Sequence, residues 1–128
     1  MSSRIVLDAS ALLALLFRER GYERVDEALS GGVMSAVNLA EVTSRLLEMG
    51  ADEETTRERL EDLPIEIIPF NADHAYRTGI LRAKTKKLGL SLGDRACLAT
   101  AAREKLPVLT ADKAWRTLKL DIHMEVIR

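Results

Sequence analysis

Four acidic residues occupy positions from which carboxylates can converge on one cleft. Asp8 ends the apolar run Ile5-Val6-Leu7, and Asp112 follows the run that ends at Leu109 and Thr110. Asp94 comes three residues after Ser91, and Glu41 three residues after Asn38. Gathered together, such groups repel: two carboxylates about 4 Å apart cost roughly 4 kcal/mol at an effective dielectric near 20. A hard divalent cation, Mg²⁺ or Mn²⁺, reverses the sign, because it takes oxygen ligands and keeps several waters. It also lowers the pKa of a bound water, giving hydroxide that can attack phosphorus while the metal meets the charge developing on the leaving oxygen. Four carboxylates are compatible with one ion or two.

Each acid also has a purely structural reading. Asp8 can cap or turn the chain, Glu41 can be the capping-box partner of Asn38 or a solvated helix residue, and Asp112 can be a plain N-cap. Asp94 can complete a box with Ser91. A carboxylate opening so apolar a helix nevertheless needs a partner. Taken singly the four are weak signals; their joint placement points to chemistry.

The elements that must position them follow from the hydropathy pattern. Arg4 to Leu7 reads as a buried parallel strand, and Ser10 is placed to cap a helix through Phe17. Gly21 opens a second helical stretch to about Leu29, and Val33 to Ser35 forms a brief strand. Leu39, Val42, Leu46 and Leu47 mark the stripe of a helix ending near Gly50, with Glu41 in its first turn and off the stripe. Residues 52 to 62 are charged and helical up to Pro64, and Ile65 to Phe70 reads as a third strand. Asn71 caps a long amphipathic helix whose stripe is Ala72, Ala75, Tyr76, Gly79, Ile80 and Ala83. Ser91 caps the next, which is apolar nearly all round from Leu92 to Ala102 and therefore central. Pro107 to Leu109, a short helix, and a strand from about Ile122 to Ile127 complete the chain. Strands alternating with helices predict an α/β/α sandwich on a mostly parallel sheet. In such sheets ligands gather at the carboxyl ends of strands, where Asp8 and Asp112 fall.

A chain of 128 residues without linker, repeat or low-complexity segment is read as a single domain over 1–128. The net charge of −1 supplies no global basic field, so any nucleic-acid contact must come from a local patch such as Arg77, Arg82, Lys84, Lys86 and Lys87. One Trp, two Tyr and two Phe leave an aliphatic core. The lone Cys97 excludes an internal disulfide, fits a reducing cytoplasm, and reads as a small buried hydrophobe. The run from Ile5 to Phe17 is interrupted by Asp8 and too short to span a membrane. His74 and His123 have no partners at zinc spacing.

Asp8-Ala-Ser10 after the first strand, Asn38-Leu-Ala-Glu41 on a helix, Ser91-Leu-Gly-Asp94 and Thr110-Ala-Asp112, in this order and spacing, resemble a PIN domain. Over essentially the whole chain they are similar to the VapC toxins of toxin–antitoxin pairs. The closest match is Leu90-Ser-Leu-Gly-Asp94 and the small, apolar helix that follows. The resemblance implies a PIN-like three-layer sandwich and Mg²⁺- or Mn²⁺-dependent cleavage of RNA, commonly structured RNA such as tRNA. It carries Asp8, Glu41, Asp94 and Asp112 over as the catalytic, metal-binding set, with Ser10, Asn38 and Thr110 as supporting polar groups. Gly93 takes a position that the family often fills with another small residue. A homodimer and a VapB-type antitoxin covering the cleft are further implications.

The alternatives are a stand-alone PIN nuclease in RNA processing, a catalytically silent PIN-like module, and, from another class, a phosphoacceptor receiver domain. A receiver wants an adjacent acidic pair after strand one and a late Lys-Pro, whereas Asp8 stands alone and Lys105 precedes Leu106. A haloacid-dehalogenase-like phosphatase wants Asp-x-Asp, which Asp8-Ala-Ser10 lacks.

Overall fold

Alternation along the first strand decides the layers. In the computed structural model, which describes residues 3–128, β1 (Ile5–Leu7) is buried along its whole length. Ile5 and Leu7 join one apolar cluster while Val6 joins another, so each face of the sheet carries its own core. Around β1 lie β2 (Gly32–Ser35), β3 (Glu66–Ile68), β4 (Val108–Thr110) and β5 (Met124–Val126), in the order β3-β2-β1-β4-β5. All four pairings are parallel, with Val6 opposite Val33 on one side and Val108 on the other. The expectation of a mostly parallel sheet is therefore met in full.

Helices cover both faces. The cluster on one side draws on α1 (Ala9–Leu16), α2 (Tyr22–Ala28), α3 (Ala36–Glu48) and α4 (Glu53–Glu61), through Leu12, Val25, Val42 and Leu60. The other is built on α6 (Leu92–Glu104) and a 3-10 helix, Lys113–Thr117, through Cys97, Leu98 and Trp115. The helix α5 (Ala72–Thr85) packs on α6, followed by a 3-10 turn, Lys86–Leu88, that stops at left-handed Gly89.

Several expectations shift. The third strand is shorter than Ile65 to Phe70, and the last is confined to Met124–Val126. Ser10 does not cap α1: the turn follows β1 so closely that Asp8 is the N-cap, accepting the Ala11 N–H. Ser35 is the N-cap of α3, its hydroxyl accepting the Val37 N–H, so Glu41 lies in the second turn. The stripe of α5 is overturned. His74, Thr78 and Thr85 are its buried residues, whereas Tyr76 and Ile80 are 73% and 65% exposed. The polar face turns inward where α5 packs on α6: Phe70 meets the His74 ring edge-on at 5.8 Å, and Arg95 donates to the Thr78 backbone carbonyl.

Candidate active site

The strand order reverses at β1, since the chain runs outward through β2 and β3 on one side and returns through β4 and β5 on the other. The crevice beyond the carboxyl ends of β1 and β4 is the topological switch point, where open α/β sheets bind ligands. Asp8 leaves β1 there, and Thr110 is the last residue of β4.

Asp8 is 4% exposed and almost fully engaged. Its Oδ1 accepts from the Ser10 hydroxyl at 2.7 Å and the Ala11 N–H at 2.8 Å, and its Oδ2 accepts from the Thr110 hydroxyl at 2.6 Å. The Ser10 hydroxyl in turn accepts the Ala111 N–H, and the Thr110 hydroxyl accepts the Asp112 N–H. The two hydroxyls named in the sequence thus tie the end of β4 to the end of β1. Burial pushes the Asp8 carboxyl up to about 6; the hydrogen bonds from Thr110, Ser10 and Ala11 oppose that rise, and the Asp94 charge adds to it.

Glu41 reaches the site from α3. Asn38 is 1% exposed and donates through Nδ2 to Glu41 Oε1 at 2.8 Å and to the Gly93 carbonyl at 3.0 Å, joining α3 to the start of α6. This is a side-chain pair within the helix and not the expected capping box. Asp94 does form such a box: Ser91 Oγ accepts its N–H at 3.1 Å, and Asp94 Oδ2 accepts the Ser91 N–H at 3.0 Å. Below them lies the fully buried Cys97, whose thiol is held far up its range by burial and then by the charges of Asp8, Asp94 and Glu41. The charges of three of the four acids thus bear on one buried thiol. Asp112 stands at the rim, exposed, with Oδ1 accepting the Ala114 N–H as the N-cap of the 3-10 helix.

The structural readings of Asp8, Asp94 and Asp112 as caps are thus all realised, while Glu41 caps nothing. Among the described residues, no three acidic, His or Cys side chains are gathered tightly enough to hold an ion as they stand. The donor set nonetheless suits a hard cation. Among the described residues, Glu41 Oε2 and Asp94 Oδ1 accept no side-chain or capping hydrogen bond, and Asp8 Oδ2 accepts only one. Asn38 Oδ1 is buried without a partner, an orphan oxygen beside the Glu41 carboxylate.

One contributor leaves no trace in the sequence pattern. A Cβ on Gly93 would run into the Glu41 carboxylate, so glycine is what leaves room for that carboxylate at the start of α6. Gly93 is thus more constrained here than a merely small position would be. Of the basic residues proposed for phosphate contact, Arg77 is paired with Asp73 at 3.0 Å. His74 is fully buried between α5 and α6, away from this site. No described helix is long and apolar enough to cross a membrane.

A family model described as the PIN domain matches residues 5–119. No curated protein matches the sequence. Among solved structures, a chain of a toxin–antitoxin complex from Klebsiella pneumoniae is 24% identical, with 97% of this chain and 98% of that one covered and a TM-score of 0.75. VapBC-5, a member of the VapBC family of toxin-antitoxin systems from Mycobacterium tuberculosis, gives 27%, 98% of each chain and 0.65. FitAcB from Neisseria gonorrhoeae gives 22%, 96% and 97%, and 0.73.

Proposed function

The chain belongs to the PIN-domain family, and on that premise we propose that it is a divalent-metal-dependent endoribonuclease, the toxin of a VapBC-type pair. The observation that supports this reading is the Glu41 carboxylate seated against Gly93 beside Asp94, with Asp8 at the switch point, each carboxylate retaining acceptor capacity. Asp8, Glu41, Asp94 and Asp112 would hold Mg²⁺ or Mn²⁺, aided by Ser10, Asn38 and Thr110. When bound, the ion supplies an activated water and offsets charge at the scissile phosphate.

The chain's own residues do the positioning. Ser10, Thr110 and Ala11 fix the Asp8 carboxylate, and the orientation of these donors favours its charged form. The Ser91 N–H fixes Asp94, and Asn38 fixes Glu41, so little side-chain freedom is left to lose when a ligand binds.

Two surfaces support the partners. Leu39, Leu47, Leu60, Leu63, Ile65 and Ile67 line a groove of about 740 Å³ between α3, α4 and β3, suited to the apolar face of an antitoxin segment. The outward stripe of α5, with Tyr76 and Ile80 exposed, suits a second copy of the chain in a homodimer.

The test is a paired measurement on Asp94→Asn. As a ligand in a crowded acidic cluster, its loss should leave the metal-free melting temperature unchanged or higher while cleavage of tRNA at saturating Mn²⁺ falls more than a hundredfold. Near wild-type cleavage by the folded variant would remove the assignment. Cleavage by the wild type in excess EDTA would remove the metal.

A further inference from the structure

We infer that the groove between the Lys86–Leu88 turn and the segment 117–120 is a docking track for the RNA backbone, leading substrate phosphates into the acidic site; this rests on the nuclease reading above. The groove has a volume of about 480 Å³, and its lining includes Lys84, Lys86, Lys87 and Lys119 but no acidic residue. All four lysines are exposed, and among the described residues none lies within ion-pair distance of a carboxylate. Arg77, by contrast, is neutralised by Asp73. In a chain of net charge −1, four uncommitted cations around one concavity form the local field that polyphosphate binding needs.

Both walls run directly into the candidate site. The first continues from Leu88 through left-handed Gly89 and buried Leu90 to Ser91, the cap of the helix carrying Asp94. The second begins at Asp112 and follows the 3-10 helix Lys113–Thr117. Such a helix rises about 2.0 Å per residue, so its far end lies about 10 Å from Asp112. Lys113 and Arg116 lie along that interval, and Arg116 is bound to the Arg128 carbonyl. The arrangement resolves an electrostatic difficulty, since an acidic cleft alone repels a phosphate chain. Cations set beside it draw the strand in and hold its flanking phosphates.

The floor is aliphatic, with Leu88, Leu118 and Leu120, and no aromatic side chain lines the groove. Bases therefore find no stacking platform, and the track reads phosphates without regard to sequence. The chemistry it fits is a phosphodiester backbone, and on the nuclease reading that backbone is RNA.

The experiment measures binding of a labelled 20-nucleotide single-stranded RNA in EDTA, between 50 and 200 mM NaCl. The variant is Lys84→Gln, Lys87→Gln and Lys119→Gln together, which keeps most of each aliphatic stem. Loss of three phosphate contacts should weaken binding at least tenfold and lower the salt slope by about 2. A variant with Arg20, Arg45 and Arg59 changed to Gln should retain wild-type affinity and slope. Wild-type binding by the lysine variant, equal loss in the arginine variant, or no binding by the wild type would each overturn the track. Tighter binding of the matching DNA strand would overturn RNA as its occupant. Failure of the two readings is separable. A wild type that cleaves RNA but whose lysine variant binds normally loses the track alone, whereas a wild type inert with Mn²⁺ whose lysine variant loses binding loses the nuclease alone.

Discussion

Two buried titratable side chains in this molecule live under opposite arrangements. Asp8, at the end of β1, receives three hydrogen bonds and still has its carboxyl raised to about 6. His74, between α5 and α6, has an Nδ1 with no partner, an Nε2 only 3.5 Å from Thr100 Oγ1, and Thr78 Oγ1 unpartnered on the same helix. Burial, together with Arg103, pulls its imidazole below the usual value; Arg77 adds to this, and Asp73 and Glu104 oppose it. Desolvation favours the neutral form in both cases, but around Asp8 the protein has built donors that defend the charge. Around His74 Nδ1, among the described residues, no acceptor is placed to do the same for an imidazolium. The difference marks which buried polar group is organised for use and which is merely accommodated.

The two groups should tilt stability with pH in opposite directions. Asp8 has a folded pKa above its unfolded 3.8, so its contribution is fully present below 3.8 and disappears as pH rises through about 6. His74 has a folded pKa below 6.5, so its contribution is present above 6.5 and disappears as pH falls through the lowered value.

The largest effect that would break the comparison is expected from Asp8→Asn. In EDTA at pH 7 the variant should be more stable by roughly 1–3 kcal/mol, the cost of the ionised buried group, and its stability should no longer vary between pH 4 and 6 on this account. Cleavage at saturating Mn²⁺ should fall more than a hundredfold. A variant that melts lower at every pH would show Asp8 to be a structural cap first. Next in size, Thr110→Val removes the shortest donor to Asp8. Metal-free stability should drop by about 1–3 kcal/mol at pH 8 and by less at pH 5, where the carboxyl is protonated; denaturant titration at the two values checks the asymmetry.

Gly93→Ala should separate function from stability. The obstacle to the new methyl is the carboxylate end of Glu41 and not backbone, so the clash is relieved if that side chain gives up its hydrogen bond from Asn38 and swings aside. Melting should stay within a few degrees of wild type, helped by the gain in helix propensity, while cleavage falls about tenfold. Unchanged cleavage would mean that the position of Glu41 is immaterial. The smallest effect belongs to His74→Leu, which replaces an underserved polar ring by an apolar one. Stability at pH 8 should change by less than about 1 kcal/mol, and the loss of stability on acidification below 6.5 should shrink. An acid limb as steep as the wild type's would assign that slope to another group.

The local chemistry of the sequence was read well where one residue type admits one geometry. Ser91 with Asp94 forms the anticipated box, and Val6, equally apolar neighbours on either side, sits at the centre of a parallel sheet. The Glu41 carboxylate lies against Gly93, the residue before Asp94, and Asp8 follows β1 at the switch point. What misled was α5, because hydropathy periodicity identifies an apolar face without saying whether the fold or a partner covers it. His74 and Thr78 turn inward where α5 packs on α6, against Thr100 and Arg95, residues 17 to 26 positions away in sequence. The contact of Gly93 with Glu41 is of the same kind: a helix–helix distance has no signature in either residue's neighbours.

The hydrogen bond between Thr110 and Asp8 joins residues 102 positions apart. At about 5–20 residues per second of protein synthesis, the first acid waits roughly 5–20 s for the hydroxyl that fixes it. A nascent chain therefore carries the beginning of this site through about a hundred further residues of synthesis without being able to assemble it. On the ribonuclease reading proposed above, the chain would in this way stay inert beside the message and the ribosome producing it, until β4 is made and the sheet closes around β1.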